Sequence, residues 1–198
     1  MGTSYWLRIT PVVCGLLVLS LVCPVAQQGA NAAVAPAEAI APRSVADSPP
    51  TRIRIPKIRV DADVVEVGYE VRQENGRAVT VWKVADFAAG FHRGSAYPGH
   101  VGNTVIAGHN NIRGRVFRYL LNLQSGDDVY LYVGEQVFHY TVSQVLLVKE
   151  TGMTEEIQRE NARWIEPTED ERLTLVGCWP FIKPDHRVIV IAHPAARP

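Results

Sequence analysis

Leu173-Thr174-Leu175-Val176-Gly177-Cys178-Trp179-Pro180, followed by Arg187-Val188-Ile189-Val190-Ile191-Ala192-His193, is the stretch on which the fold turns. Each half is a run of strand length, rich in apolar and β-branched residues, and the loop Trp179 to His186 joins them. The second run is almost continuously apolar, which predicts a central strand covered on both faces. Paired antiparallel, as so short a connection allows, the two strands bring the Cys178 thiol and the Arg187 guanidinium out at the same end of a sheet.

Working outward, the chain reads mainly as further strands. Ala78 to Trp82 and Asn103 to Gly108 are short and β-branched, and Asp128 to Val133 alternates before Gly134-Glu135 returns the chain through Gln136 to Lys149. A glycine first in a two-residue loop suits a type II′ hairpin. Ile53, Ile55, Ile58 and Val60 mark an extended segment that Pro56 confines to an edge or a bulge. Helical pattern is confined to Val116 to Leu123 and to about Glu155 to Ala162, where Thr154 suits an N-cap and Glu155 and Glu156 suit the positive end of the helix dipole. Many short strands with few helices argue for a closed or nearly closed β-barrel.

Before Thr51 the composition changes twice. Residues 1–29 carry Arg8 and then an apolar run from Ile9 to about Ala26, the pattern of an N-terminal signal-anchor or a cleaved signal peptide, with Ala30-Asn31-Ala32 as a small-residue cleavage site. Residues 30–50 are rich in alanine and proline without apolar periodicity, as in a linker lifting a domain away from a membrane or wall. Residues 51–198 are left as one folded domain on the outer side of the membrane, large enough to hold a core without disulfides. Twenty basic and twenty acidic residues give a formal net charge of zero, so bulk charge points to no nucleic-acid partner.

The chain has three cysteines, and two of them, Cys14 and Cys23, fall in the N-terminal apolar run. Cys178 is therefore unpaired in the exported part: a buried small hydrophobe, a site of intermolecular pairing, or a nucleophile. A thiol with a pKa of about 8.5 is mostly protonated at neutral pH and needs a neighbour to take its proton or stabilise its anion. His109 ends the apolar run Thr104 to Gly108 and so reaches the rim of a sheet, where histidine can accept that proton and pass it to a departing amine. Arginine is always charged, and its fork of donors can hold an oxyanion or a substrate carbonyl. Spacing alone leaves the structural and catalytic readings of the three residues evenly balanced.

The segment Thr174-Leu175-Val176-Gly177-Cys178, with Arg187 nine positions later, resembles the TLxTC and arginine signature of sortases. Gly102 to His109 resembles the sortase histidine motif, Tyr97-Pro98-Gly99 its usual approach, and the similarity runs from about Ile53 to Ala192. The resemblance implies an eight-stranded β-barrel with one or two short helices and a thiol transpeptidase that cuts a C-terminal sorting signal of the Leu-Pro-x-Thr-Gly kind. The acyl part would pass through a thioester to an amine of the cell wall or a pilin. Carried across, Cys178 is the nucleophile, His109 the general acid or base, and Arg187 the oxyanion or orienting group. Gly177 stands where the motif has threonine, which opens the question of substrate preference; Gly177 and Trp179 are the candidate substrate contacts.

His92, His100, His139, His186 and His193 have no compact ligand spacing, so no metal is expected, and neither calcium nor another cofactor is implied. Two other functions compete. A related thiol endopeptidase would let water resolve the thioester, and a tethered, non-catalytic β-barrel would bind a peptide or glycan with its cysteine merely buried.

Overall fold

The computed structural model describes residues 44–74 and 76–196, which fall within one compact unit. The expected signal-anchor or signal peptide at 1–29, and the linker as far as residue 43, lie outside the described residues.

Eight strands close into a barrel: β1 (Arg52–Ile55), β2 (Val60–Val67), β5 (Ala89–His92), β6 (Gly102–Ala107), β9 (Glu171–Trp179), β10 (His186–Pro194), β8 (Gln136–Lys149) and β7 (Asp128–Val133), in that order around it. Strands β3 (Tyr69–Glu74) and β4 (Arg77–Trp82) form a separate hairpin inserted between β2 and β5. Two pairs, β2 with β5 and β6 with β9, are parallel; the rest are antiparallel. The single α-helix among the described residues, α1 (Glu155–Ala162), lies in the β8–β9 connection.

Alternation explains the simpler strands. On β7, Val129, Leu131 and Val133 are buried while their neighbours are half-exposed, so the strand presents one face to the core. Strand β6 is buried along its whole length, and β10 from Val188 to Ala192, as the continuous apolar run predicts. The barrel interior is filled by Ile53, Ile55, Phe91, Ile106, Leu131, Tyr140, Leu173, Leu175 and Val190, and Phe117, Leu120 and Leu123 join the same cluster.

Several expectations change. Pro56 does not interrupt an edge strand; it opens a 3-10 turn, Pro56–Ile58, that folds β1 back onto β2, where its missing N–H costs no ladder bond. The helix expected over Val116 to Leu123 is a series of turns ending in a 3-10 turn, Leu120–Asn122, because Phe117 N–H is taken by the His109 carbonyl at 2.9 Å. The Glu155 helix forms, with Ile157 N donating to Thr154 Oγ1 at 3.4 Å. Gly134, at φ 56, makes the two-residue turn between β7 and β8.

The end of the expected linker is packed on the barrel. Ala46 is buried, its N–H donates to Pro98 O at 2.9 Å, and its carbonyl accepts from His100 Nε2 at 2.8 Å. Among the described residues no helix is long and apolar enough to cross a membrane.

Candidate active site

The pairing of β9 with β10 sets Arg187 directly opposite Cys178. Side chains opposite each other on one face of an antiparallel pair are neighbours, and Arg187 Nη1 donates to Cys178 Sγ at 3.3 Å. The cysteine is half-buried rather than sealed in the core. On its other side β9 runs parallel to β6, with Ala107 opposite Val176 and Gly108 N–H donating to Val176 O at 3.0 Å. Continuing two residues along each strand brings His109 level with Cys178. All three residues therefore reach the same end of the barrel, which we call the mouth.

Two asparagines clamp this arrangement. Asn110 is buried, and its Nδ2 donates to the Cys178 carbonyl. Asn111 Nδ2 donates to Phe181 O at 2.7 Å in the loop between β9 and β10. The residues after the histidine thus hold the backbone at and beyond the cysteine.

His109 also has an acidic neighbour. Its Nε2 lies 3.7 Å from Asp86 Oδ1, and the Asp86 carboxylate accepts from Arg113 Nη1 at 2.9 and 3.1 Å. Burial lowers the His109 pKa from the ordinary imidazole value; the Asp86 carboxylate opposes that shift and Arg113 reinforces it. The ring is thereby kept mainly neutral at neutral pH, the form that accepts a proton. Its Nε2 is buried without a hydrogen-bond partner.

Gly177 sits on the opposite face of β9 from Cys178. A Cβ there would meet Leu120 Cδ2 at 3.2 Å, so the position faces the packed interior and not the mouth. Trp179 packs against the core cluster and meets Phe181 edge-on at 5.1 Å between ring centres. Its contacts are those of a loop anchor, and its peptide bond to Pro180 is cis.

The remaining histidines are dispersed. His139 pairs with Asp128 at 2.7 Å, His186 with Asp185 at 2.6 Å and His193 with Asp170 at 3.1 Å, while His92 stacks on Trp82 with ring centres 4.1 Å apart. Sequence reasoning missed Asp86, Arg113 and Asn110. Asn110 adjoins the histidine, and its position was the available signal; nothing in Val84-Ala85-Asp86-Phe87 marks the aspartate.

A cleft of about 1280 Å³ opens beside the mouth, lined by the Pro56–Ile58 turn, the start of β2, Phe87 and residues 114–122. Neither Cys178, His109 nor Arg187 lines it. Its walls nevertheless adjoin the site: Phe87 N donates to Arg113 O at 2.8 Å, and the Arg118 guanidinium lies 4.5 Å from the centre of the Phe181 ring.

Known proteins share this fold. No curated protein matches the sequence. Among solved structures, a lid mutant of sortase A from Corynebacterium diphtheriae is similar at 21% identity and a TM-score of 0.55, over 74% of this chain and 70% of that one. Sortase C-1 from Actinomyces oris matches at 21% identity and 0.55, over 76% of each chain. A Clostridium perfringens sortase D5 transpeptidase matches at 23% identity and 0.54, over 78% of this chain and 83% of its own. These similarities concern the fold. Residues 53–195, nearly the whole described barrel, match the Sortase domain family, and the chain therefore belongs to the sortases, the cysteine transpeptidases.

Proposed function

We propose that this sortase cleaves a C-terminal sorting signal of the Leu-Pro-x-Thr-Gly kind through a thioester on Cys178 and transfers the acyl group to an amine of the cell wall or a pilin. The observation that carries the assignment of residues is the 3.3 Å contact of Arg187 Nη1 with Cys178 Sγ, at a mouth that His109 also reaches.

In the first half-reaction, the thiol proton passes to the neutral His109 ring and Sγ attacks the scissile carbonyl carbon. The C–S bond forms, and the oxyanion develops against the Arg187 fork, whose charge is permanent. On collapse the C–N bond breaks, and His109 returns the proton to the departing amine, leaving the thioester. In the second half-reaction an acceptor amine attacks the thioester carbonyl, His109 takes the ammonium proton, and as the C–S bond breaks the ring returns that proton to the leaving sulfur, restoring the thiol. Asn110 acts through the backbone, holding the Cys178 carbonyl. The lowered proton affinity of His109 supports its role as the first base.

We assign residues 1–29 to an N-terminal anchor or signal peptide, 30–50 to a linker, and 51–198 to an extracytoplasmic catalytic domain. Entry of the chain at the end of the barrel opposite Cys178 supports this reading, since β1 starts there and Ala46 is bonded to Pro98 ahead of β6.

The test is the product ratio from a sorting-signal peptide, with and without an added amine. A transpeptidase shifts from hydrolysis to ligation as the amine is added, and Cys178→Ala loses both products while keeping its fold. Unchanged hydrolysis at saturating amine would assign an endopeptidase, and ligation by Cys178→Ala would remove the nucleophile from the account.

A further inference from the structure

In a chain with no formal net charge, the cleft beside the mouth is lined by five basic and two acidic side chains. One of the two acids, Asp61, is occupied by Arg52 through two hydrogen bonds of 2.6 Å. Lys57, Arg59 and Arg115 are exposed and have no ion-pair partner among the described residues. Arg118 is held by stacking, over the Phe181 ring at 4.5 Å and the Tyr119 ring at 5.7 Å, and has no ion-pair partner among the described residues. Cations gathered in a concave surface without their own counter-charges create a local positive potential, and that potential recruits anions.

The position of the cleft indicates which substrate it serves. Phe87 forms part of its wall and directly follows Asp86, the acid beside His109. Gly114 closes onto that phenylalanine at φ +90, where a Cβ would come within 2.6 Å of the Phe87 Cα. Through Arg118 the wall also meets Phe181, three residues beyond Cys178. The cleft thus adjoins the mouth through the segments that carry Asp86 and Phe181, and none of Cys178, His109 and Arg187 lines it. An attacking amine must approach the thioester where His109 can take its proton.

We propose that this cleft binds the amine acceptor through carboxylate or phosphate groups carried close to the nucleophilic nitrogen. The proposal rests on the transferase reading of Cys178 and His109, and it deepens that reading by giving the acceptor a chemical class.

The test separates the two claims by measuring binding apart from chemistry. Full-length Cys178→Ala is titrated with three peptides that share a triglycine amine terminus and differ at two following positions: glutamine, glutamate or phosphoserine. The glutamate peptide is expected to bind at least tenfold more tightly than the glutamine peptide at low salt, with the advantage collapsing at about 0.5 M salt as the Debye length shortens. A larger gain for phosphoserine would identify phosphate as the preferred anion, and equal gains would identify general anion binding; both outcomes support the cleft. The double variant Lys57→Glu/Arg59→Glu, at two exposed positions, is expected to abolish the preference. With Cys178 intact, the same double change raises KM for the acidic acceptor at least tenfold and leaves hydrolysis of the donor peptide without acceptor unchanged. Arg115→Glu, on a separate segment, repeats the loss if one replacement pair perturbs its turn.

Equal binding of the glutamine and glutamate peptides overturns the proposal, as does an acidic preference that survives charge reversal. So does a KM effect confined to the donor. Retained acidic preference in a chain that forms no acyl-enzyme would instead sink the transferase reading and leave an anion-binding cleft.

Discussion

The two ends of the barrel differ in whether residues other than glycine take left-handed backbone. Among the described residues, turns at the end opposite the mouth reach positive φ only at glycine, as at Gly99 in the β5–β6 connection and Gly134 between β7 and β8. At the mouth, Arg59, Phe87, Arg113, Arg115 and Lys183 all adopt φ between 48 and 59, in the connections that lead into β2, β5, β7 and β10. A non-glycine residue in this region costs about 1–2 kcal/mol. Such residues persist when their side chains are needed, and they gather at functional sites. Arg113 holds Asp86, Phe87 and Arg115 line the cleft, and Lys183 belongs to the loop after Cys178. The opposite end has a different character: Glu171 Oε1 accepts from buried Tyr140 Oη at 2.9 Å and from Gly99 N at 3.0 Å, a part-buried network that secures the start of β9. One end of β9 is secured by this network, and the other carries the proposed nucleophile.

The largest contrast should appear in paired substitutions. Arg187→Ala is expected to lower kcat/KM by about 100- to 1000-fold, as loss of an oxyanion donor does, while the melting temperature moves little. Tyr140→Phe should reverse the pattern, costing about 1.5–3 kcal/mol for a hydrogen bond to a carboxylate with turnover per folded molecule unchanged. Steady-state kinetics and denaturant unfolding of the two variants check this directly; a large loss of turnover in Tyr140→Phe would break the division between the ends.

Acid should next expose the buried histidines. Burial lowers the pKa of His92 to about 4, against an ordinary value near 6.5. Between those values the unfolded chain binds a proton that the folded chain refuses, so this contribution is complete above pH 6.5, declines as pH falls, and is gone below about 4. Its size follows from the shift, about 3 kcal/mol at 1.36 kcal/mol per pH unit. His109, shifted in the same direction, adds to the same window, whereas Asp170 and Asp185 have lowered values and lose their contributions only under stronger acid. Unfolding measured from pH 7 to 4 should show this slope, and His92→Phe should flatten it; an unchanged slope would place the acid sensitivity elsewhere.

A smaller effect tests the charges around His109. Asp86→Asn removes the group that raises the histidine pKa, and Arg113→Gln removes one that lowers it. The acid limb of the kcat/KM profile should therefore move to lower pH in the first variant and to higher pH in the second. Shifts of the same sign in both would mean that loop displacement, not charge, governs the ring. The smallest expected change is at the strained turn: Lys183→Gly should stabilise the fold by up to about 1 kcal/mol, because glycine carries no Cβ penalty at positive φ, and denaturant midpoints would show it.

Legibility in the sequence followed the same division. Cys178 and Arg187 were placed together by a short loop between two apolar runs, since antiparallel pairing fixes what lies opposite. His109 was legible because a strand ended just before it. Asp86 and Arg113 were not, because they meet across segments far apart in the chain and neither lies in a periodic pattern. The short strand β5 offered four residues, Ala-Gly-Phe-His, too few for alternation to register. The apolar spacing of Val116, Leu120 and Leu123 read as helix, yet Phe117 and Leu120 are turned instead beneath Gly177, and the missing threonine side chain leaves room for Leu120. Gly177 thus has a packing neighbour in Leu120 that its motif position alone does not reveal.

The central claim is covalent chemistry at Cys178, and intact-protein mass spectrometry tests it most directly. The enzyme is mixed with a sorting-signal peptide and quenched before amine is added. The account predicts an adduct equal in mass to the acyl fragment, mapped to Cys178, discharged by an amine and absent from Cys178→Ala. Product formed without that adduct in Cys178→Ala, or an adduct mapped to another residue, would contradict it.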